Sequence, residues 1–125
     1  MMIIFATMKL NVEELRYYCL SLGEDVIEKM PFGKFNGASE VLVFYVCGHM
    51  FCYYDLAHFK VVTVKCQPER INELQASQQG ITAPYNMSPR HWVGLDVELI
   101  DNNLAKELIR NSYNIVKSKY TKKRP

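Results

Sequence analysis

The chain of 125 residues has no apolar run long enough to cross a bilayer. Its most apolar uncharged stretch, Val41 to Tyr54, is 14 residues long and is broken by Gly48-His49, short of the ~20 that an apolar helix needs. No Lys or Arg precedes the apolar residues of Met1–Met8, so a secretory leader is not expected and the sequence predicts a cytoplasmic protein with no membrane partner. The four cysteines, Cys19, Cys47, Cys52 and Cys66, contain no C-x-x-C pair, and a domain of this size holds itself together without disulfides. Buried reduced thiols are expected.

Other absences narrow the chemistry. Only three histidines occur, His49, His58 and His91; none forms an i, i+4 pair and no His or Cys spacing fits a zinc motif, so no metal site is predicted. The chain carries no P-loop, no G-x-G-x-x-G and no G-x-S-x-G, which removes the common phosphate cradles and the hydrolase elbow. Cys47 and Cys52 flank His49, but no third group is at hand to orient a nucleophile. No enzyme activity and no cofactor are predicted.

What is present reads as one globular α+β domain, since a chain of this length buries enough surface for a single core. Residues 11 to 22 form a predicted helix, with Asn11 as N-cap, Glu14 completing a capping box, a Leu10/Leu15 staple and Gly23 as stop. Residues 24 to 28 read as an acidic loop. Gly48-His49 predicts a tight turn between strands Val41–Cys47 and Met50–Leu56. On that register Leu42, Phe44, Val46, Phe51 and Tyr53 share one face, and Val43, Tyr45, Cys47, Met50, Cys52 and Tyr54 the other. Both faces are apolar or aromatic, so the second is either partly covered or a contact surface.

A third strand runs from Val61 to Cys66, with Lys65 on the open face. Pro68 begins a short helix ending near Gly80, Ile81–Ser88 reads as a loop, Trp92–Val97 as a strand, and Asp101 caps a long helix whose stripe is Leu104, Leu108, Ile109, Ile115 and Val116. The architecture predicted is a two-layer α/β sandwich, an antiparallel sheet with its helices on one face.

The net charge of +2 conceals an asymmetry: residues 1 to 59 sum to −3 and residues 60 to 125 to +5. Positive charge gathered by one half of the chain suits a polyanion. The candidate nucleic-acid contacts are Tyr45 and Tyr54 as stacking planes, Lys65 on the sheet, Arg90 and His91 beside Trp92, and the tail cations Lys117, Lys119, Lys122 and Lys123. Non-specific phosphate contact with DNA is the chemistry they offer.

Several strings taken in order resemble the MmcQ/YjbR family: Val12-Glu13-Glu14-Leu15-Arg16-Tyr17-Tyr18-Cys19-Leu20, Met30-Pro31-Phe32-Gly33, Phe44-Tyr45-Val46 with His49-Met50-Phe51, and Val64-Lys65-Cys66-Gln67-Pro68-Glu69-Arg70. Pro84-Tyr85-Asn86-Met87, Arg90-His91-Trp92 and Leu108-Ile109 with Ser112-Tyr113 continue the series. The resemblance implies a CyaY-like (frataxin-like) sandwich over residues 8 to 119, an N-terminal extension of residues 1 to 7, a basic tail of residues 120 to 125, and DNA binding by analogy with double-wing domains. Where the family pattern carries Lys this chain has Tyr45 and His49, and where it carries Asp this chain has Gln67, leaving fewer fixed cations on the hairpin. Two other readings stay open: a small-molecule or protein-interaction module using the Tyr/Cys/Met sheet face, and a frataxin-like metal binder using Glu13, Glu14, Glu24, Asp25 and Glu28.

Overall fold

Asn11 starts the first helix as its sequence position requires: the Asn11 side chain accepts the Glu14 amide at 2.8 Å, satisfying one of the N–H groups that a helix start leaves unpaired. The Glu14 carboxylate does not reach back as a capping box would; it pairs with Lys106 at 3.3 Å. The computed structural model describes residues 10–34 and 40–121. Within them the order is α1 (Val12–Ser21), β1 (Ile27–Lys29), β2 (Val41–Val46), β3 (His49–Asp55), β4 (Val61–Lys65), α2 (Pro68–Ser77), β5 (Ile81–Thr82), β6 (Trp92–Asp96) and α3 (Asn102–Tyr120). The expected extension of residues 1 to 7 lies outside the described residues.

The strands form one open antiparallel sheet in the order β1-β2-β3-β4-β6-β5. All three helices cover the same face. Leu15 and Cys19 of α1, Ile71 and Leu74 of α2, and Ala105, Leu108, Ile109, Tyr113 and Val116 of α3 close one core over Leu42, Phe44, Val46, Phe51, Cys52, Tyr54, Val62, Val64, Val93 and Leu95. The protein is therefore an α+β sandwich of sheet and helices. Ile115, expected in the α3 stripe, is only partly buried; Ser112 and Tyr113 take its place inside.

Two strands stand where the composition predicts loops. β1 escapes the alternation rule because its middle residue, Glu28, turns to the helix side as a charge rather than an apolar group, clamped by Arg16 at 2.5 and 2.7 Å. β5 has only two residues, too few for any period.

The β2–β3 hairpin departs from the expected register at two points. Its turn is Cys47-Gly48, not Gly48-His49, with both residues left-handed at φ 56° and 79°, the backbone a two-residue type I′ turn demands. A bulge then follows: Tyr45 faces Met50, but Phe44 faces Cys52, so Phe51 is an extra residue. Beyond a bulge the alternation changes phase. Cys52 and Tyr54 consequently enter the main core with Phe51, and Tyr53 emerges on the open face beside Val41, Val43, Tyr45 and Met50.

The bulge leaves a gap in the β3–β4 ladder that a helix fills. Pairing between these strands is recorded at Cys52↔Val64 and Tyr53↔Thr63; one step on, the Phe51 carbonyl and the Lys65 amide are bridged by Ser112 of α3. The Ser112 hydroxyl donates to Phe51 O at 2.5 Å and accepts from Lys65 N at 2.8 Å. Ser112 is fully buried.

Candidate functional site

The open face of the sheet is roofed in part by the connection between β5 and β6. Gly94 makes the crossing possible, because a Cβ there would meet the Ala83 carbonyl oxygen at 2.4 Å and Val61 Cγ1 at 2.9 Å. Further along, the Tyr53 hydroxyl donates to the Tyr85 carbonyl, and Met87 packs on the Val41, Val43 and Tyr53 cluster. Burial raises the Tyr53 pKa. Between loop and sheet lies a cleft of about 230 Å³ lined by Phe32, Val41, Met50, Tyr53, Tyr85, Asn86 and Met87. The second face, which composition left as either covered or exposed for contact, is thus both.

The loop then ends in a turn that projects Arg90 and His91 into solvent: Ser88 O accepts the His91 and Trp92 amides at 3.2 and 3.0 Å, and Cys66 N–H donates to His91 O at 3.0 Å. The register Lys65↔Trp92 sets these residues at the same end of the sheet as the β2–β3 turn. The Lys65 ammonium lies over the Trp92 ring, 5.1 Å from its centroid. Trp92, although on the open face, is only 7% exposed. At the hairpin tip the exposed His49 ring stacks on Tyr120 at 3.5 Å, and Lys119 sits 5.3 Å from the same tyrosine. Tyr45 is half-buried beneath Lys29 at 5.7 Å.

Two expected contacts fall elsewhere. Tyr54 is not a stacking plane: the bulge turns it inward, it is 1% exposed, its hydroxyl donates to Val12 O at 3.2 Å, and burial raises its pKa. Lys117 is not a free cation: it meets Asp25 at 3.0 Å and the Tyr113 hydroxyl at 3.1 Å, hydrogen bonds that raise its pKa. Lys122 and Lys123 lie outside the described residues. The sequence reading overlooked Lys29, His49 and the Tyr85–Met87 cover. The prolines at 84 and 89 mark that segment as a loop, but no local pattern says which surface a loop crosses.

Three of the five acidic residues near α1 are paired with cations: Glu14 with Lys106, Glu28 with Arg16 and Asp25 with Lys117. Among the described residues no three of His, Cys, Asp and Glu converge as a metal set, and no helix is long and apolar enough to cross a membrane.

The YjbR family model matches residues 20–115, most of the chain. The chain belongs to the YjbR family. Its fold is shared with DR2400 of Deinococcus radiodurans, a protein carrying the DUF419 domain, at 30% identity and a TM-score of 0.77, over 89% of this chain and 81% of that one. A Pseudomonas syringae protein is similar in fold at a TM-score of 0.70 and 19% identity, over 86% of this chain and 99% of its own. No curated protein matches. The match runs from the end of α1 into α3, so it includes the bulged hairpin, the Tyr85–Met87 loop and Ser112 of this YjbR domain.

Proposed function

We propose that this YjbR domain is a non-enzymatic cytoplasmic module that contacts nucleic acid, without sequence preference, through its open sheet face and the cations at the hairpin-tip end. One observation carries the reading. Among the described residues Arg16, Lys60, Arg70, Lys106 and Lys117 are paired with carboxylates, the last two against a ring as well, whereas Lys29, Lys65 and Lys119 rest on aromatic rings alone. A carboxylate neutralises its cation; a ring positions the cation and leaves its charge available to a phosphate. Arg90 and His91 add exposed donors at the same end of the sheet, Arg90 next to the start of α2 at Pro68 and Glu69, and Tyr85, 63% exposed, offers the plane that Tyr54 does not.

Binding of this kind is weak at physiological salt, with Kd roughly 10⁻⁴ to 10⁻⁶ M, and steepens as salt is removed. Fluorescence anisotropy of a labelled oligonucleotide across a salt series tests it. The double variant Lys65→Ala/Arg90→Ala should lower the slope of log K against log salt by about 2, one unit for each lost phosphate contact. No complex at micromolar protein in low salt, or a slope unchanged in the folded double variant, overturns the proposal.

A further inference from the structure

We infer that the cleft beneath the Tyr85–Met87 loop is a binding site for a single uncharged heteroaromatic ring bearing an amide-like edge. The lining supplies what such a ring selects. Met50 and Met87 present thioethers, and Phe32, Tyr53 and Tyr85 present aromatic surface; sulfur and ring edges both favour a planar π-system over a branched aliphatic group. The volume, about 230 Å³, falls below the ~300 Å³ at which drug-sized pockets begin, so it suits one ring system rather than an extended ligand.

Charge on the rim argues for a neutral occupant. The adjoining depression, which shares Val41, Tyr53 and Tyr85 with the cleft, carries Asp55, His58 and Lys60, but His58 faces Asp55 at 3.7 Å and Lys60 faces Asp96 at 3.1 Å. An anion or a cation entering here would find its complement already engaged, and would give up hydration for little in return. The Tyr53 hydroxyl is likewise spent on the Tyr85 carbonyl. Asn86 remains: it is exposed at the cleft mouth, with its backbone left-handed at φ 59°, and its side-chain amide can exchange water for a ligand without breaking a bond to the described residues. An amide offers one acceptor and two donors, the complement of a ring with a carbonyl next to an N–H.

Two sources share this chemistry: a free nucleobase-like metabolite, and one base splayed from a single strand whose phosphates lie on Lys29 and Lys65. The second source rests on the proposed nucleic-acid contact; the cleft itself does not. The test labels the methionine methyl groups with ¹³C and follows the Met50 and Met87 resonances, which an entering ring shifts; an abasic strand controls for movement of the Phe32, Tyr53 and Tyr85 rings already lining the cleft. The probes are the four ribonucleosides, a homopolymeric oligonucleotide and its abasic counterpart.

The expected result is a saturable shift of both methyl signals by at least one nucleoside at millimolar concentration or below, lost at both in Asn86→Ala and lost at Met50 in Met87→Ala. If nucleosides move the signals and the oligonucleotide does not bind, the site takes a free metabolite; the inference stands and the nucleic-acid reading falls. If the normal oligonucleotide moves them and the abasic one binds without doing so, the site takes a splayed base and both stand. If no nucleoside and no oligonucleotide moves either methyl signal, the inference is overturned, even where salt-dependent oligonucleotide binding persists.

Discussion

Replacing Ser112 with alanine removes one oxygen atom and, with it, both hydrogen bonds that close the β3–β4 gap. The position is fully buried, so water cannot replace the lost partner. The Lys65 amide, held at 2.8 Å, and the Phe51 carbonyl, held at 2.5 Å, would each be left unsatisfied at a cost of roughly 1–3 kcal/mol, the amide the more expensive because a carbonyl tolerates partial pairing. Alanine offsets a little of this by burying no hydroxyl. The expected destabilisation is about 2–4 kcal/mol, a substantial share of the ~5–15 kcal/mol that holds a domain folded. Urea unfolding should give a lower midpoint with an unchanged slope, since the surface exposed on unfolding is the same. Amide exchange at Lys65 should accelerate more than at Val64. A loss below about 1 kcal/mol would refute the reasoning: it would mean that β3 and β4 can zip together directly and that the hydroxyl bridges groups with another option.

Three further outcomes follow from the geometry. Gly94→Ala places a methyl group 2.4 Å from the Ala83 carbonyl oxygen, so the loop must lift from the sheet; a destabilisation of at least about 2 kcal/mol and faster exchange at residues 83–87 are expected by thermal melts and hydrogen exchange, and a variant as stable as the parent would count against the close crossing. Asp25 titrates below its usual 3.8, first because Tyr113 donates to it and next because Lys117 does. That stabilisation is complete above the unfolded value and lost as pH falls through the folded one, so Asp25→Asn should be less stable at neutral pH and flatter in its acid limb below about pH 4, measured by urea midpoints across pH. Cys47 is exposed whereas Cys19, Cys52 and Cys66 are buried, and burial holds the Cys52 thiol well above its usual pKa. An aromatic disulfide reagent should therefore titrate one thiol rapidly in the native protein and three more only in denaturant; fast reaction of a second thiol would contradict the packing.

What could be read from the sequence was local. Asn11 and Asp101 announce their helices because a side chain three residues away from its target amide needs no tertiary information, and both bonds are present at 2.8 and 3.0 Å. Alternation located Val62, Val64 and Cys66 opposite Lys65 for the same reason. Tyr54 was misplaced because a strand face depends on the turn and on every bulge before it; one extra residue at Phe51 was enough to invert the assignment. Lys117 looked like a tail cation because its partner, Asp25, is remote in sequence and brought near only by α3 crossing the sheet. The cleft was invisible since its walls come from four separate stretches: Phe32, Val41, Met50–Tyr53 and Tyr85–Met87.

The loop between β5 and β6 is pinned at both ends to adjacent strands and touches the sheet midway through Tyr85 and Met87. Arg90 lies only three residues beyond Met87, in a turn closed on Ser88. So short a tether leaves little slack between the two, so the backbone that carries Arg90 starts from a place set by where Tyr85 and Met87 sit on the sheet.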